Sequence, residues 1–223
     1  MTFLAAECPR PIGRDELVSV LWGESPPRRL DTAVAAILSK LRAALREAGL
    51  SARDAGIDVR LGSVTLRLPA NTWIDIEEAA NAIDEADGAL RSRDLTRAWS
   101  FANVVVAVAR RPFLADEEAP WIEARRTRLR TLLARALHIL SNISASNGES
   151  ALAVQYATEI VDLEPFRETA YHQLMNLHVQ MGNRAEALRV FARCRELLRE
   201  ELGADPSPET EALFLRILRA GSA

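Results

Sequence analysis

The stretches NGESALAVQYATEIVDLEP, residues 147–165, and MGNRAEALRVFARCRELLREEL, residues 181–202, align when the second is moved back by 34 positions. Gly182 then falls on Gly148, Ala185 on Ala151, Ala187 on Ala153 and Val190 on Tyr156. Each residue type has a reason to recur. Glycine opens a tight turn between helices because it has no Cβ to resist a left-handed backbone. Alanines let two helices approach closely, and an aromatic or large apolar residue fills the remaining gap. Pro165 closes the first copy.

A 34-residue period is that of tetratricopeptide-like helix pairs, units that bury their apolar faces only by stacking on neighbours. A more degenerate copy stands earlier, in RDLTRAWSFANVVVAVARRPF, residues 93–113, where Phe101 and Ala102 sit as Tyr156 and Ala157 do. Beyond the second copy, ADPSPETEALFLRIL, residues 204–218, starts a last helix behind Pro206 and Pro208. Its Leu213, Leu215, Ile217 and Leu218 are expected to form an apolar edge that caps the stack. Trp73, Trp99 and Trp121 are expected to fill junctions between helices.

The N-terminal third has another grammar. GRDELVSVLWG, residues 13–23, has acidic Asp15 and Glu16 in its first turn and Gly23 at its end, the boundary signals of a short helix. ESPPRR, residues 24–29, is a turn, because paired prolines exclude helix there. In RRLDTAVAAILSKLRAALREAG, residues 28–49, Leu30, Val34, Ile37, Leu38, Leu41 and Leu45 recur on one helical face. After the loop GLSARDAG, residues 49–56, the period falls to two: Ile57, Val59 and Leu61, then Val64, Leu66 and Leu68, with a hairpin expected to turn at Gly62-Ser63. With the apolar helical start of the chain, the order is helix, helix, helix, hairpin, that of a winged helix-turn-helix.

The expected fold is therefore mainly α. An incomplete winged helix-turn-helix of three helices and a β-hairpin, residues 1–70, precedes a tetratricopeptide-like α-helical repeat domain, residues 71–223.

Composition narrows the function. At 48% hydrophobic and 26% charged residues, the 223-residue chain has material for one large core or two modest ones. Its longest apolar run, residues 104–109, is far too short to cross a bilayer, and MTFLAAECPRP at the start lacks signal-peptide character. The expectation is a cytoplasmic protein without a membrane partner. Residues 1–70 carry ten Lys and Arg against eight Asp and Glu, whereas the remainder carries eighteen against twenty-three. Only the first part offers a phosphate backbone a net positive surface.

Chemistry-bearing motifs are absent from the sequence. It has no GxxxxGK, GxSxG, HExxH or GxGxxG, so no catalytic residue or cofactor is expected. Cys8 and Cys194 lack metal spacing, and His172 and His178, six apart, fall on different helix faces, so no metal site is expected either. The arginines 125, 126, 128, 130 and 135 of EARRTRLRTLLAR, residues 123–135, read as a solvated face paired with acidic neighbours such as Asp116, Glu117 and Glu118.

RDELVSVLWG, LSKLRAAL, LEPFRETAYHQLM and GNRAEALRVFARCRELLREELGADPSPETEAL together resemble the bacterial transcriptional activator domain proteins of the antibiotic-regulatory type. In that family a response-regulator-like winged helix precedes a tetratricopeptide-like domain. The resemblance implies a transcriptional activator that binds double-stranded promoter DNA and contacts RNA polymerase, with a homodimer as a further expected association. Such winged helices start with a small N-terminal sheet, whereas this sequence opens within its first helix; the expectation is an N-terminally truncated domain.

With the apolar stripe of residues 28–49 turned inward, Arg28, Arg29, Thr32, Ser39, Lys40 and Arg46 face outward, interleaved with Ala35, Ala36 and Ala43. In the hairpin, Arg60 and Arg67 can reach the duplex. These eight polar residues are the expected DNA contacts. The arginines and the lysine suit phosphates, which position a protein, while the alanines leave the centre of the face little with which to read bases. Two readings stay open: a DNA-binding regulator whose helical repeats bind a partner protein, a ligand or a second copy of the chain, and a protein-interaction scaffold or regulatory fragment whose degenerate winged helix does not bind DNA by itself.

Overall fold

In the computed structural model the described residues are 1–50 and 55–220; part of the expected 49–56 loop lies outside them. The chain divides into two compact units. The first comprises Met1–Glu78 with Leu114–Ala124, and the second Ala79–Phe113 with Arg125 onward.

The first unit runs α1 (Thr2–Ala6), β1 (Ile12–Gly13), α2 (Arg14–Trp22), α3 (Leu30–Glu47), β2 (Gly56–Arg60) and β3 (Ser63–Arg67). The strands form an antiparallel sheet in the order β1-β3-β2, one strand more than the expected hairpin. β1 is two residues long and pairs Ile12 with Val64 and Gly13 with Ser63. A pairing this brief leaves no periodic signal in a sequence. Phe3, Leu4, Ile12, Leu17, Leu38, Leu45, Ile57, Val64 and Leu66 make the core. Trp121 closes one side with its ring edge-on to Phe3, centroids 5.1 Å apart.

The hairpin turn falls one residue earlier than expected. Arg60 pairs with Ser63, so the two loop residues are Leu61 and Gly62. Both have positive φ, 48° and 78°. A right-handed strand twist is continued by a two-residue turn with positive φ at both positions, and that requirement places Leu61 in the loop although its side chain belongs to the alternating apolar pattern.

The second unit contains α4 (Asp75–Arg91), α5 (Leu95–Ala109), α6 (Pro120–Ser146), α7 (Ser150–Leu163), α8 (Glu168–Gln180), α9 (Arg184–Leu202) and α10 (Pro208–Arg219), although the first turns of α4 and α6 are assigned to the first unit. Three turns repeat one geometry. Gly148 and Gly182 have φ of 79° and 76°, and the residue after each donates its N–H to a carbonyl five positions back, Glu149 to Ser144 and Asn183 to His178, both at 2.8 Å. In the degenerate copy Arg93 holds φ 63° and Asp94 donates to Ala89 at 2.9 Å. These bonds satisfy carbonyls that the helix end leaves without a partner.

The register continues into the helices. Ala98, Ala153 and Ala187 are fully buried at equivalent positions, followed one turn later by buried Ala102, Ala157 and Phe191. The gap between helices is thus filled at 157 and 191, while Tyr156 and Val190, the positions expected from the sequence, are half-buried. At the end of the stack Phe191 lies parallel to Phe214, centroids 4.2 Å apart, with Met175, Leu213 and Ile217 around them.

α10 is fastened at both ends. Ser207 caps its N-terminus and Pro208 opens it. The Glu168 carboxylate accepts from the Ser207 N–H and hydroxyl, each at 2.9 Å, and from the Thr210 hydroxyl. At the other end Arg184 donates to the carbonyls of Ile217 and Leu218 at 2.9 and 2.6 Å, where a cation complements the helix dipole. Of its expected apolar edge, Leu213 and Ile217 are buried, whereas Leu215 and Leu218 face solvent. Their spacing takes them off the 3.6-residue face that meets α8 and α9.

Trp73 and Trp99 are exposed, contrary to the expectation that they fill junctions; among the three, Trp121, half-buried, packs against the core of the first unit. Arg135 finds its acidic partners on α4, Asp84 and Asp87, and Arg126 donates to the Phe113 carbonyl at 3.0 Å. Among the described residues, no helix is long and apolar enough to cross a membrane.

Candidate nucleic-acid interface

α3 forms where its sequence predicts it. Asp31 lies in its first turn and Arg46 in its last, each complementing the local end of the helix dipole. Gly49 at φ 78° then terminates it. Leu38 and Leu45 are buried and Val34, Ile37 and Leu41 partly so, which turns the opposite face outward. Arg28, Arg29, Thr32, Ser39, Lys40 and Arg46 are exposed on that face or at its start, together with Ala35 and Ala36. Ala43 is half-buried.

Two arginines that the sequence reading passed over fix α3 against its surroundings. Arg42 donates through Nε and Nη2 to the Ile57 carbonyl of β2, at 3.2 and 2.9 Å. The sequence signal for it is position: Arg42 flanks the buried stripe beside Leu41 and Leu45, on the side where a neighbouring strand has main-chain acceptors. Arg14 pairs its guanidinium with Asp31 at the start of α3, and its main-chain N–H donates to the Gly62 carbonyl at 3.0 Å. The wing turn and the first turn of α3 are thereby held to one residue.

The expected contacts separate into two groups. Ser39, Arg46 and Arg67 line one concavity of about 410 Å³, together with Arg42, Ile57 and Asp58. Arg67 is shared with Asp58 across the hairpin, Nε to Oδ2 3.5 Å, which reduces the charge it presents. Arg28, Arg29 and Thr32 stand at the other end of α3. Arg60, at the end of β2 next to the wing turn, is exposed, and Lys40 is exposed in the second half of α3. Arg28, Arg29, Lys40 and Arg60 form no ion pair with any described residue, so their charge is available to an external anion. Chemically, the face offers cations and two hydroxyls at its edges with methyl groups between.

A helical pair feeding a recognition-type helix, followed by a hairpin on a three-stranded sheet, defines a winged helix-turn-helix; the stacked pairs that follow are tetratricopeptide-like. The model of the bacterial transcriptional activator domain matches residues 74–218, and the chain belongs to that family. Regulatory protein AfsR of Streptomyces griseus is 32% identical over 205 residues, spanning 92% of this chain and 20% of its own length. Transcriptional regulatory protein MoaR1 of Mycobacterium tuberculosis is 24% identical over 209 residues, 93% of this chain and 67% of its own length. The solved structure of Mycobacterium tuberculosis EmbR in complex with a low-affinity phosphopeptide matches with a TM-score of 0.81 at 25% identity, covering 95% of this chain and 55% of that one. The chain thus spans about a fifth of the length of the AfsR proteins.

Proposed function

We propose that this chain is a DNA-binding transcriptional regulator, an activator acting in the cytoplasm, whose residues 1–70 contact double-stranded promoter DNA. The observation that carries the reading is the set of exposed cations along one side of α3 and beside the wing turn, Arg28, Arg29, Lys40, Arg46 and Arg60. Phosphate contacts from these residues position the protein on a duplex, and Thr32 and Ser39 supply hydroxyls for bases or phosphates. The names of the relatives as regulatory proteins support the same direction. The helical repeats of residues 71–223, net acidic by composition, then serve contacts with RNA polymerase or with a second copy of the chain.

One observation favours the alternative, a scaffold whose winged helix does not bind DNA by itself. Ala35 and Ala36 occupy exposed positions on α3 where direct base readout needs longer polar side chains. Selection of duplexes from a random library by the purified chain, followed by binding across a salt series, separates the two. Regulation through DNA requires recovery of a preferred duplex and an affinity that falls steeply with salt. Equal recovery of all sequences with no salt dependence leaves the scaffold.

A further inference from the structure

Trp99 is 47% exposed on α5, although the repeat does not need an aromatic residue there. With Ala98, Ala153 and Ala187 as equivalent positions, the residue that follows is Trp99 in the first repeat, Val154 in the second and Leu188 in the third. The last two are half-buried. A tryptophan that packing does not require, left half in water, is apolar surface kept for a contact outside the chain.

Its neighbours are apolar as well. With Leu95 of the same helix, Ile143 of α6, and Leu152 and Tyr156 of α7, it lines a concavity of about 370 Å³. That volume lies at the small end of the range for ligand pockets, about 300–1,000 Å³. The site sits at the starts of α5 and α7 and the end of α6, wholly within the second unit. The next step of the stack does not repeat it. Leu95, Thr96 and Trp99 give way there to Ser150, Ala151 and Val154, and Leu152 to Glu186, which is paired with Arg189.

The polar side chains of the concavity are the Thr96 hydroxyl, the Asn147 amide and one charged group, the Glu149 carboxylate. Glu149 stands directly before α7, but its side chain makes no cap hydrogen bond and forms no ion pair with any described residue. The rings are uncovered too. Elsewhere the chain lays its own arginines over aromatic faces, Arg97 over Phe101 at 5.6 Å and Arg195 over Phe191 at 5.7 Å. Among the described residues no cation lies over Trp99 or Tyr156, although Tyr156 is the equivalent of Phe101. Arg110, whose charge reaches Tyr156, is committed to Glu159, Nη2 to Oε2 2.5 Å.

These features select one class of ligand. An aromatic face attracts a cation through its quadrupole, and an unpaired carboxylate in the same concavity adds a charge of opposite sign. An anion meets Glu149 and the ring faces with the wrong sign. A neutral apolar molecule strips water from the carboxylate and returns no partner.

We infer that this concavity binds a small organic ammonium with an aromatic or aliphatic body, the body packing on Leu95 and Leu152 and the ammonium meeting the ring faces and the Glu149 carboxylate. The site belongs to the second unit alone and stands whether or not residues 1–70 bind DNA.

The test uses the full chain, isotope-labelled for magnetic resonance, and three probes that share one ring: phenethylammonium, phenethyl alcohol and hydrocinnamate, with a cationic, a neutral and an anionic head. Phenethylammonium is expected to shift the Trp99 indole resonance, identified by its loss in Trp99→Phe, together with the Gly148 and Leu152 amides. The shifts should saturate, with an affinity at least about fivefold above that of the other two probes. Read through the same amides, Trp99→Val is expected to weaken binding about fivefold and Glu149→Gln about threefold, while Trp99→Phe, which keeps a ring, stays within about twofold of wild type. All three replace exposed side chains, so the fold is retained. Equal affinity for the three probes, no saturable shift with phenethylammonium, shifts at exposed Trp73 as large as at Trp99, or wild-type affinity in Glu149→Gln overturns the inference. So does a lysine-rich peptide that shifts Trp99 where phenethylammonium does not, since the concavity is then a protein contact.

Discussion

The Arg42 guanidinium donates to the Ile57 main-chain carbonyl at 2.9 Å, joining α3 to the wing through a side chain in addition to the apolar core they share. A charged donor on a main-chain acceptor at a partly buried site contributes about 1 kcal/mol or somewhat more. Arg42→Ala is therefore expected to lower stability of the first unit by about that amount in urea unfolding. It should also weaken duplex binding, since both elements of the interface lose a common reference. Arg42→Lys, with one compact ammonium in place of a fork, should restore only part of either.

Phosphate contacts leave a quantitative trace. Each neutralised phosphate steepens the log–log dependence of affinity on salt by about 0.9. Arg28→Ala, Arg29→Ala, Lys40→Ala and Arg46→Ala are each expected to reduce the slope by roughly that amount and to weaken all duplexes alike. Thr32→Ala and Ser39→Ala are expected to leave the slope intact. A quadruple Arg28, Arg29, Lys40 and Arg46 to Ala variant with wild-type slope would place the DNA contacts elsewhere.

Arg93 occupies the left-handed turn position that glycine takes at 148 and 182. Arg93→Gly is expected to stabilise the second unit by about 0.5–1 kcal/mol, and Gly182→Ala to destabilise it by about 1 kcal/mol. For Gly182 the loss comes from the backbone alone, because an added Cβ meets no atom within 4 Å. Denaturant midpoints of the two variants should move in opposite directions.

Phe191 is 2% exposed and fills the place that alanine holds in the two earlier repeats. Phe191→Ala is expected to cost about 3–5 kcal/mol, the range for removing a buried aromatic ring. The ring of Phe214 loses its stacking partner, so α10 should show faster amide exchange than α4 and α5 in the same variant.

Glu168 predicts a pH dependence. Burial raises its pKa, but hydrogen bonds from Thr210 and from the Ser207 N–H and hydroxyl, with His172 nearby, outweigh that and hold the carboxyl below its ordinary value. A depressed folded-state pKa contributes stability that is present above the unfolded-state pKa and lost as pH falls through the folded one. Docking of α10 is therefore expected to be constant at neutral pH and to weaken in the acid range. Hydrogen exchange along α10 reads this directly, and Glu168→Gln should remove the acid-dependent step while lowering protection already at pH 7.

How much of this was readable beforehand depends on the range of the forces involved. The helix pairs, the left-handed glycines 148 and 182, the inward stripe of α3 and the alternation of the hairpin are local consequences of period and of residue type, and sequence by itself determined them. It also determined which side chains of α3 point away from Leu38 and Leu45. Other features required the folded chain. β1 exists because β3 offers it an edge, Arg42 and Arg14 act through acceptors 15 and 17 residues away or farther, and residues 114–124 return to the first unit to bring Trp121 against Phe3. Val59 and Leu61 carry the periodicity of a buried strand and are exposed all the same. Periodicity specifies which face a side chain takes, but only tertiary structure decides how far the core extends beneath that face.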